Sequence, residues 1–597
     1  MTLLGRVAAL LGPAERRRCR WLLGMLVLMA IFEVLGVASI VPFMTVLARP
    51  DVVHSNAALN GVYTMLGFRS SQSFLLFLGF AVFALLLASI AFKALATWAL
   101  WRFTNTRSHA ITCRLMRSYL QQPYSWYLHR HSADLVRAAL ADVDRAVNQF
   151  LMPLLQMVAH AAVVVLLFGL LLLVNPLIAI GAVVLLGGLY VAIYLSLRRY
   201  LSRIGAERMQ SNLQRYRFAQ EVFGGIKEIK AGALEAAFLQ RFFRPSLEFT
   251  RADTMVQLVS QLPRFVLEAV AFGGLLLVVL HLFATSGGLA QALPTLAVYA
   301  FAGYRMIPSL QQIYANFAQV RFNLPAVDAV IADLDRHPGG ELEPAPVLRP
   351  AALGMKRALA LQGVQFTFPQ ADRATLRDIN LTIPAHSTVG IVGATGAGKT
   401  TLVDVLLGLL RPQQGSVVVD GTLLDEANMA AWQCSVGYVP QHIFLVDDSI
   451  AANIAFGIPA DRIDMRAVER AAQIANLHEF VMRDVTGGYG AIVGDKGVRL
   501  SGGQRQRIGI ARALYHDPDV LIFDEATSAL DNVTEQVVME AVHALGGSKT
   551  LLLIAHRLTT VRECDRIFVL ERGRIEDQGT FAELITRNQR FRAMAGA

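Results

Sequence analysis

Gly393-Ala394-Thr395-Gly396-Ala397-Gly398-Lys399-Thr400 reads G-x-x-x-x-G-K-[ST]. The apolar run Val389-Gly390-Ile391-Val392 leads into it as an expected buried strand, and helical patterning follows from Thr401 to Leu410. Strand, Gly-rich loop and helix, in that order, form the context in which such a stretch cradles phosphate. Glycine lets the backbone approach an anion closely and take positive φ. Successive N–H groups and the helix N-terminus then face the negative charge. Lys399 is placed to reach the outer phosphates and Thr400 to offer its hydroxyl to Mg²⁺. The residues expected to hold a nucleotide here are Gly393 through Thr400 together with Thr401. A chance Gly-rich turn would lack the partners found downstream.

The first of those partners is Val520-Leu-Ile-Phe-Asp-Glu525, four apolar residues followed by two acids. Asp524 is expected to hold Mg²⁺, directly or through water, and Glu525 to polarise the attacking water. Between the two stretches lies Leu500-Ser501-Gly502-Gly503-Gln504, followed by Arg505, Arg507 and Arg512. Here the chain resembles the ATP-binding-cassette (ABC) transporters, whose signature is L-S-G-G-Q. Their other motifs stand in order: Gly437-Tyr-Val-Pro-Gln441 as the Q-loop, Ser528-Ala-Leu-Asp531 as the D-loop, and Ile554-Ala-His556-Arg-Leu558 around the switch histidine. Phe368 stands where an adenine-stacking aromatic, more often Tyr, is expected, and Val493-Gly-Asp495-Lys-Gly497 resembles the element before the signature, usually with Glu at the acidic position. The resemblance covers residues 358–597 closely. It implies two cassettes dimerised head to tail, with each ATP held between one subunit's Lys399 loop and the other's Ser501, Gly502, Gly503 and Gln504. It adds Gln441 to the ATP and Mg²⁺ contacts and gives His556 a γ-phosphate contact, so Glu525, His556 and Lys399 form the expected catalytic set. Every motif is intact, which favours a homodimer.

The rest of the chain differs in composition. Of 597 residues, 54% are apolar and only 17% charged. Soluble proteins carry roughly 25% charged residues, so part of this chain is expected in lipid. Net charge is +10, but the basic residues crowd the loops of the first half, as at cytoplasmic membrane flanks, and no nucleic-acid partner is expected. Cys19, Cys113, Cys434 and Cys564 are scattered, with no C-x-x-C pair, and read as thiols rather than as a disulfide frame or zinc site.

Six apolar segments, at about 21–47, 73–101, 147–174, 176–197, 264–285 and 293–318, each approach the roughly 20 residues that span a bilayer as helix. The long connections 102–146 and 198–263 are rich in Arg, which puts them and the N-terminus in the cytosol and continues the helices beyond the membrane. The resemblance to exporters implies short coupling helices near Ser125–Val136 and Phe223–Lys230, and the pattern of Ala57–Phe68 allows a short interfacial helix. With the cassette resemblance, these spans imply the fold class: a six-span membrane α-helical bundle of the ABC exporter type followed by an α/β P-loop domain. The expected divisions are a basic elbow at 1–20, a transmembrane domain at 21–334, a Pro- and Gly-rich linker at 335–357 and the ATP-binding cassette at 358–597.

Ionisable residues inside spans are the best clue to cargo. Glu33, Lys93, Glu268 and Arg305 fall within or at the edges of apolar segments. A central charge costs roughly 2.5–3.5 kcal/mol on insertion scales and faces a cavity or a partner. Lys93, Arg264 and Arg305 from two subunits would suit an anionic headgroup such as pyrophosphate, with Glu33 and Glu268 as partners or register pins; Lys93 and Arg264 can instead snorkel at membrane ends. Phe32-Glu-Val-Leu-Gly36, Val41-Pro-Phe43 and Gly225-Ile-Lys-Glu-Ile-Lys230 resemble the bacterial flippases of lipid-linked oligosaccharides. That resemblance implies an inner-membrane location, a polyprenyl-pyrophosphate cargo and a cationic cavity. Peptide or drug export is the alternative, though no protease-like domain precedes the first span; a non-pumping ATP-gated membrane protein is a third.

Overall fold

Unbroken apolar runs set the first half. The computed structural model describes residues 2–48, 50–174, 176–285, 289–336, 349–369, 371–525, 532–545, 547–555 and 558–595; for part of 174–198 and 263–299, Arg264 included, it describes backbone only. Contacts divide the chain into one unit of residues 1–122 with 129–344 and another of 123–128 with 345–597.

The first unit is built on long helices: α1 (Pro13–Ala38), α2 (Ser71–Leu120), α3 (Met152–Val174), α4 (Pro176–Gly224), α5 (Glu235–Thr285) and α6 (Leu289–Arg336). Among the described residues, Pro13–Leu47, Ser71–Leu120 and Ser132–Leu173 are long and apolar enough to cross a membrane. The other three expected spans fall on α4, α5 and α6. A helix of 50 residues such as α2 is about 75 Å long at about 1.5 Å per residue, more than twice the apolar thickness of a bilayer, about 30 Å. α2, and α4, α5 and α6 of similar length, therefore continue well past the apolar layer.

The first apolar run, read as one span at 21–47, is two helices. α1 ends at Ala38 and a second helix runs Ile40–Ala48. Pro42 has no N–H to return to the carbonyl of Ala38, and the Ser39 hydroxyl donates instead to the carbonyl of Gly36 at 2.8 Å. The elbow also differs from a plain charged end. Leu3–Leu10 is helical, Arg6 makes a two-pronged ion pair with Asp328 of α6 at 2.7 and 2.9 Å, and Arg16 to Arg20 already lie on α1. The connection before α2 is helical at Val52–Ser55 and Ala57–Met65, packed by Tyr63 edge-on to Phe74. The approach to α3 winds as π-helix at Arg137–Asp142 and Val147–Leu151, where buried Asp142 is held by Arg137 and Arg145.

The second unit holds two sheets. β1 (Ala358–Phe366), β2 (Leu376–Pro384), β4 (Gln414–Val419) and β5 (Thr422–Leu423) make an antiparallel sheet in the order β2-β1-β4-β5. β3 (Thr388–Val392), β6 (Val436–Val439), β7 (Val520–Asp524), β8 (Thr550–Ile554), β9 (Arg566–Glu571) and β10 (Arg574–Gly579) make the other, ordered β10-β9-β3-β8-β7-β6. Its five strands from β9 to β6 run parallel. β3, β7 and β8 are buried along their whole length, which is why they read as continuous apolar runs. Of the linker, residues 337–348 lie outside the described residues. Its last stretch is bonded to the cassette: Leu353 N–H donates to Ala431 O, Gly354 N–H to Ser435 Oγ, and Met355 is buried.

Candidate nucleotide-binding site

In open parallel sheets, ligands bind at the carboxyl ends of the strands. Four sequence motifs arrive at that edge. β3 runs into the Gly393 loop, β6 into Gln441, β7 ends on Asp524 and β8 ends two residues before His556. The register aligns them: Ile391 of β3 and Asp524 of β7 both pair with Ile554 of β8.

The loop after β3 has the backbone its glycines allow. Gly398, which caps helix α7 (Lys399–Leu406), has φ +105°, a region costly for any side chain. A Cβ on Gly393 would meet the Leu570 carbonyl at 2.3 Å. Lys399 is buried, and its Nζ donates to Gly393 O at 2.8 Å and Ala394 O at 3.3 Å. Desolvation lowers its pKa, opposed by the carboxylates of Glu525 and Asp524. Ala394, Thr395, Gly396 and Thr400 are exposed, whereas Ala397 and Thr401 are buried. Phe368, half-buried beyond β1, packs edge-on against Phe366 with ring centres 5.0 Å apart.

The acidic pair is fixed from several sides. Asp524 is buried and accepts from the Tyr438 hydroxyl at 3.4 Å. Glu525 has φ +51°, its N–H donates to Ile554 O at 3.0 Å, and its Oε2 accepts from Gln441 Nε2 at 2.7 Å. Asp404 on α7 is pushed up to about 6 by burial, reinforced by Asp524. Tyr438 and Asp404 were not singled out from sequence; Tyr438 stands inside the Q-loop motif, but only the β6–β7 pairing brings it to the acid. Thr400, Asp524 and Gln441 offer oxygen donors of the kind a hard cation such as Mg²⁺ takes, so the set fits. His556 and Ser528–Asp531 lie outside the described residues.

The signature opens another helix, α8 (Gly502–Leu514). Ser501 Oγ accepts the Gln504 N–H at 3.2 Å and Gln504 Oε1 accepts the Ser501 N–H at 2.8 Å, a reciprocal cap. The following arginines are framework rather than ligands: Arg512 donates to Asn453 O and Phe444 O, each at 2.8 Å, and stacks over Phe456. Among the described residues, Ser501 to Gln504 make no hydrogen bond to the 393–400 loop.

Two family models match the chain: "ABC transporter transmembrane region" at residues 23–296 and "ABC transporter" at 376–528. The ATP-dependent lipid A-core flippase of Cupriavidus metallidurans is 31% identical over 467 residues, 77% of each chain. The chain belongs to the ABC transporter family. The heterocyst differentiation ATP-binding protein HepA of Nostoc sp. is 35% identical over 379 residues, 63% of this ABC transporter; the match spans 60% of HepA's own length. A solved bacterial Atm1-family ABC exporter with ATP bound superimposes with a TM-score of 0.77 at 22% identity, covering 97% of this transporter and 98% of that chain. The transporter thus has the ABC exporter fold, is a multi-pass membrane protein and binds ATP.

In the transporter's membrane half, Lys93 Nζ lies 2.6 Å from Glu33 Oε1 and Arg305 Nη1 3.7 Å from the same oxygen. Two of the three cations singled out from sequence therefore meet at one carboxylate. The side chain of the third, Arg264, lies outside the described residues. Glu268 is half-buried.

Proposed function

We propose that this ABC transporter is one half of a homodimeric, ATP-hydrolysing exporter that flips a lipid-linked oligosaccharide or related anionic lipid across a bacterial inner membrane, with its N-terminus and cassette in the cytoplasm. The convergence of Lys399, Asp524, Glu525 and Gln441 at one sheet edge carries the hydrolytic part. Lys399 and the N–H groups of Gly393 to Thr401 hold the phosphates, Phe368 stacks on adenine, and Thr400, Asp524 and Gln441 would hold Mg²⁺, which would supply positive charge against the charge developing on the phosphates. Glu525 orients the attacking water, His556 contacts the γ-phosphate, and the partner's Ser501, Gly502, Gly503 and Gln504 close the site. Two ATP molecules draw the cassettes together, and hydrolysis releases them.

The cargo assignment rests on Lys93 and Arg305, cations within apolar helices whose side chains are not buried by their own chain: they are 44% and 27% exposed. The curated name of the Cupriavidus relative, a lipid A-core flippase, supports an anionic lipid as cargo class. The deciding experiment is ATP-dependent translocation of a polyprenyl-pyrophosphate oligosaccharide in proteoliposomes, with Glu525→Gln as control. Movement that needs Glu525 supports a flippase. No movement with intact ATPase activity would transfer the assignment to peptide or drug export.

A further inference from the structure

The charges around Glu33 come from three helices and differ in exposure. Glu33 on α1 is only 4% exposed at its side chain, while Lys93 on α2 and Arg305 on α6 are far more open. Both cations lean on the same oxygen, Glu33 Oε1. The carboxylate therefore sits behind the two cations and draws together groups that would otherwise repel. His160 of α3 has a buried Nδ1 with no hydrogen-bond partner among the described residues. Among the described residues of this cluster, Glu33, Lys93 and Arg305 together leave one formal positive charge per subunit. An unmatched charge within an apolar helix bundle is costly, so the arrangement favours an anion in front of the cations.

We propose that Glu33 is a specificity-determining residue of the cargo site. It cancels one of the two positive charges and holds the remainder facing outward, so it sets how much negative charge a headgroup can carry. Paired subunits present two net positive charges, which equals the charge of a pyrophosphate diester. This inference rests on the reading of Lys93 and Arg305 as cargo contacts. Glu33 itself need not touch the lipid; it acts through the cations it holds.

The test compares two lipids that differ in headgroup charge, undecaprenyl phosphate and undecaprenyl pyrophosphate, as stimulators of ATPase activity in the full-length protein in proteoliposomes. The readout is the ratio of their half-stimulating concentrations, which cancels any general loss of folding or turnover. Glu33→Gln should move that ratio toward the pyrophosphate by about tenfold. Lys93→Gln should move it the other way. The double variant Glu33→Gln/Lys93→Gln restores the charge count and should return the ratio to that of the wild type. The Lys93→Gln arm stands even if Glu33→Gln fails to insert. A ratio that moves in Lys93→Gln but stays fixed in Glu33→Gln overturns the role of Glu33 and leaves the cargo reading intact, whereas a ratio fixed in every variant overturns both. A wild-type protein that neither lipid stimulates overturns both.

Discussion

At the carboxyl edge of the parallel sheet, the residues that matter come from short runs of consecutive letters: Gly393–Thr400 and Asp524–Glu525. In the helical unit, Glu33, Lys93 and Arg305 come one from each of three long helices, with Glu33 and Lys93 60 positions apart. The first kind of site is local. Its geometry follows from a strand, a turn with positive φ and a helix start, so spacing alone announces it. The second exists only once helices pack, and each member in isolation reads as an expensive charge awaiting an explanation. The two sites also differ in how they hold charge. Lys399 is anchored by backbone carbonyls that no substitution removes, whereas Lys93 and Arg305 depend on one replaceable carboxylate.

Breaking the local site should have the largest effect. Lys399→Ala removes the ammonium that faces the phosphates and should lower ATPase turnover by at least about 100-fold; near-normal turnover in a phosphate-release assay would contradict the assignment. The dispersed site should respond more selectively. Arg305→Ala should raise the concentration of polyprenyl-pyrophosphate lipid needed for half-maximal stimulation by about tenfold while basal ATPase changes far less. Equal loss of both would give Arg305 a structural role.

Smaller effects sharpen the contrast within the cassette. Tyr438→Phe removes the hydroxyl that donates to Asp524, worth about 1 kcal/mol. The Mg²⁺ concentration for half-maximal ATPase should rise about fivefold, with turnover recovered at saturating Mg²⁺; an unchanged Mg²⁺ titration would show that the hydroxyl does not position the metal ligand. Asp404 gives the smallest effect and a pH signature. Its carboxyl is held up at about 6, above its unfolded value of about 4. The folded state therefore favours the protonated form. Its contribution to stability is fully present below about pH 4 and is lost as pH rises through about 6. Asp404→Asn should raise cassette stability at pH 7.5 by about 1 kcal/mol, allowing for partial solvent screening, with little difference at pH 4. Thermal melting of both proteins across that range checks the sign.

The ABC transporter fold was legible because its evidence is periodic and local: apolar runs long enough to span, then a loop, a signature and an acidic strand end. Three features escaped for physical reasons. The break at Ser39 lay inside an apolar run whose hydropathy does not change there, and only the missing N–H of Pro42 marks it. Tyr438 reaches Asp524 across 86 positions through a strand pairing that no motif encodes. Glu33 was visible as a buried charge and as a possible counter-ion, but sequence alone could not show that one oxygen serves two cations or which side of the cluster is open.

Ile554 has a consequence of another kind. Its carbonyl accepts the N–H of Glu525, and its backbone pairs with Asp524 on one side and Ile391 on the other. The tip of β8 thus secures the acid through the main chain alone. A library of substitutions at this position would vary only the apolar side chain, leaving the contact intact in every member that folds. The position would look tolerant in such a screen while remaining indispensable. An amide-to-ester exchange at Glu525, which deletes the donor and keeps every side chain, is the kind of change that would reveal it.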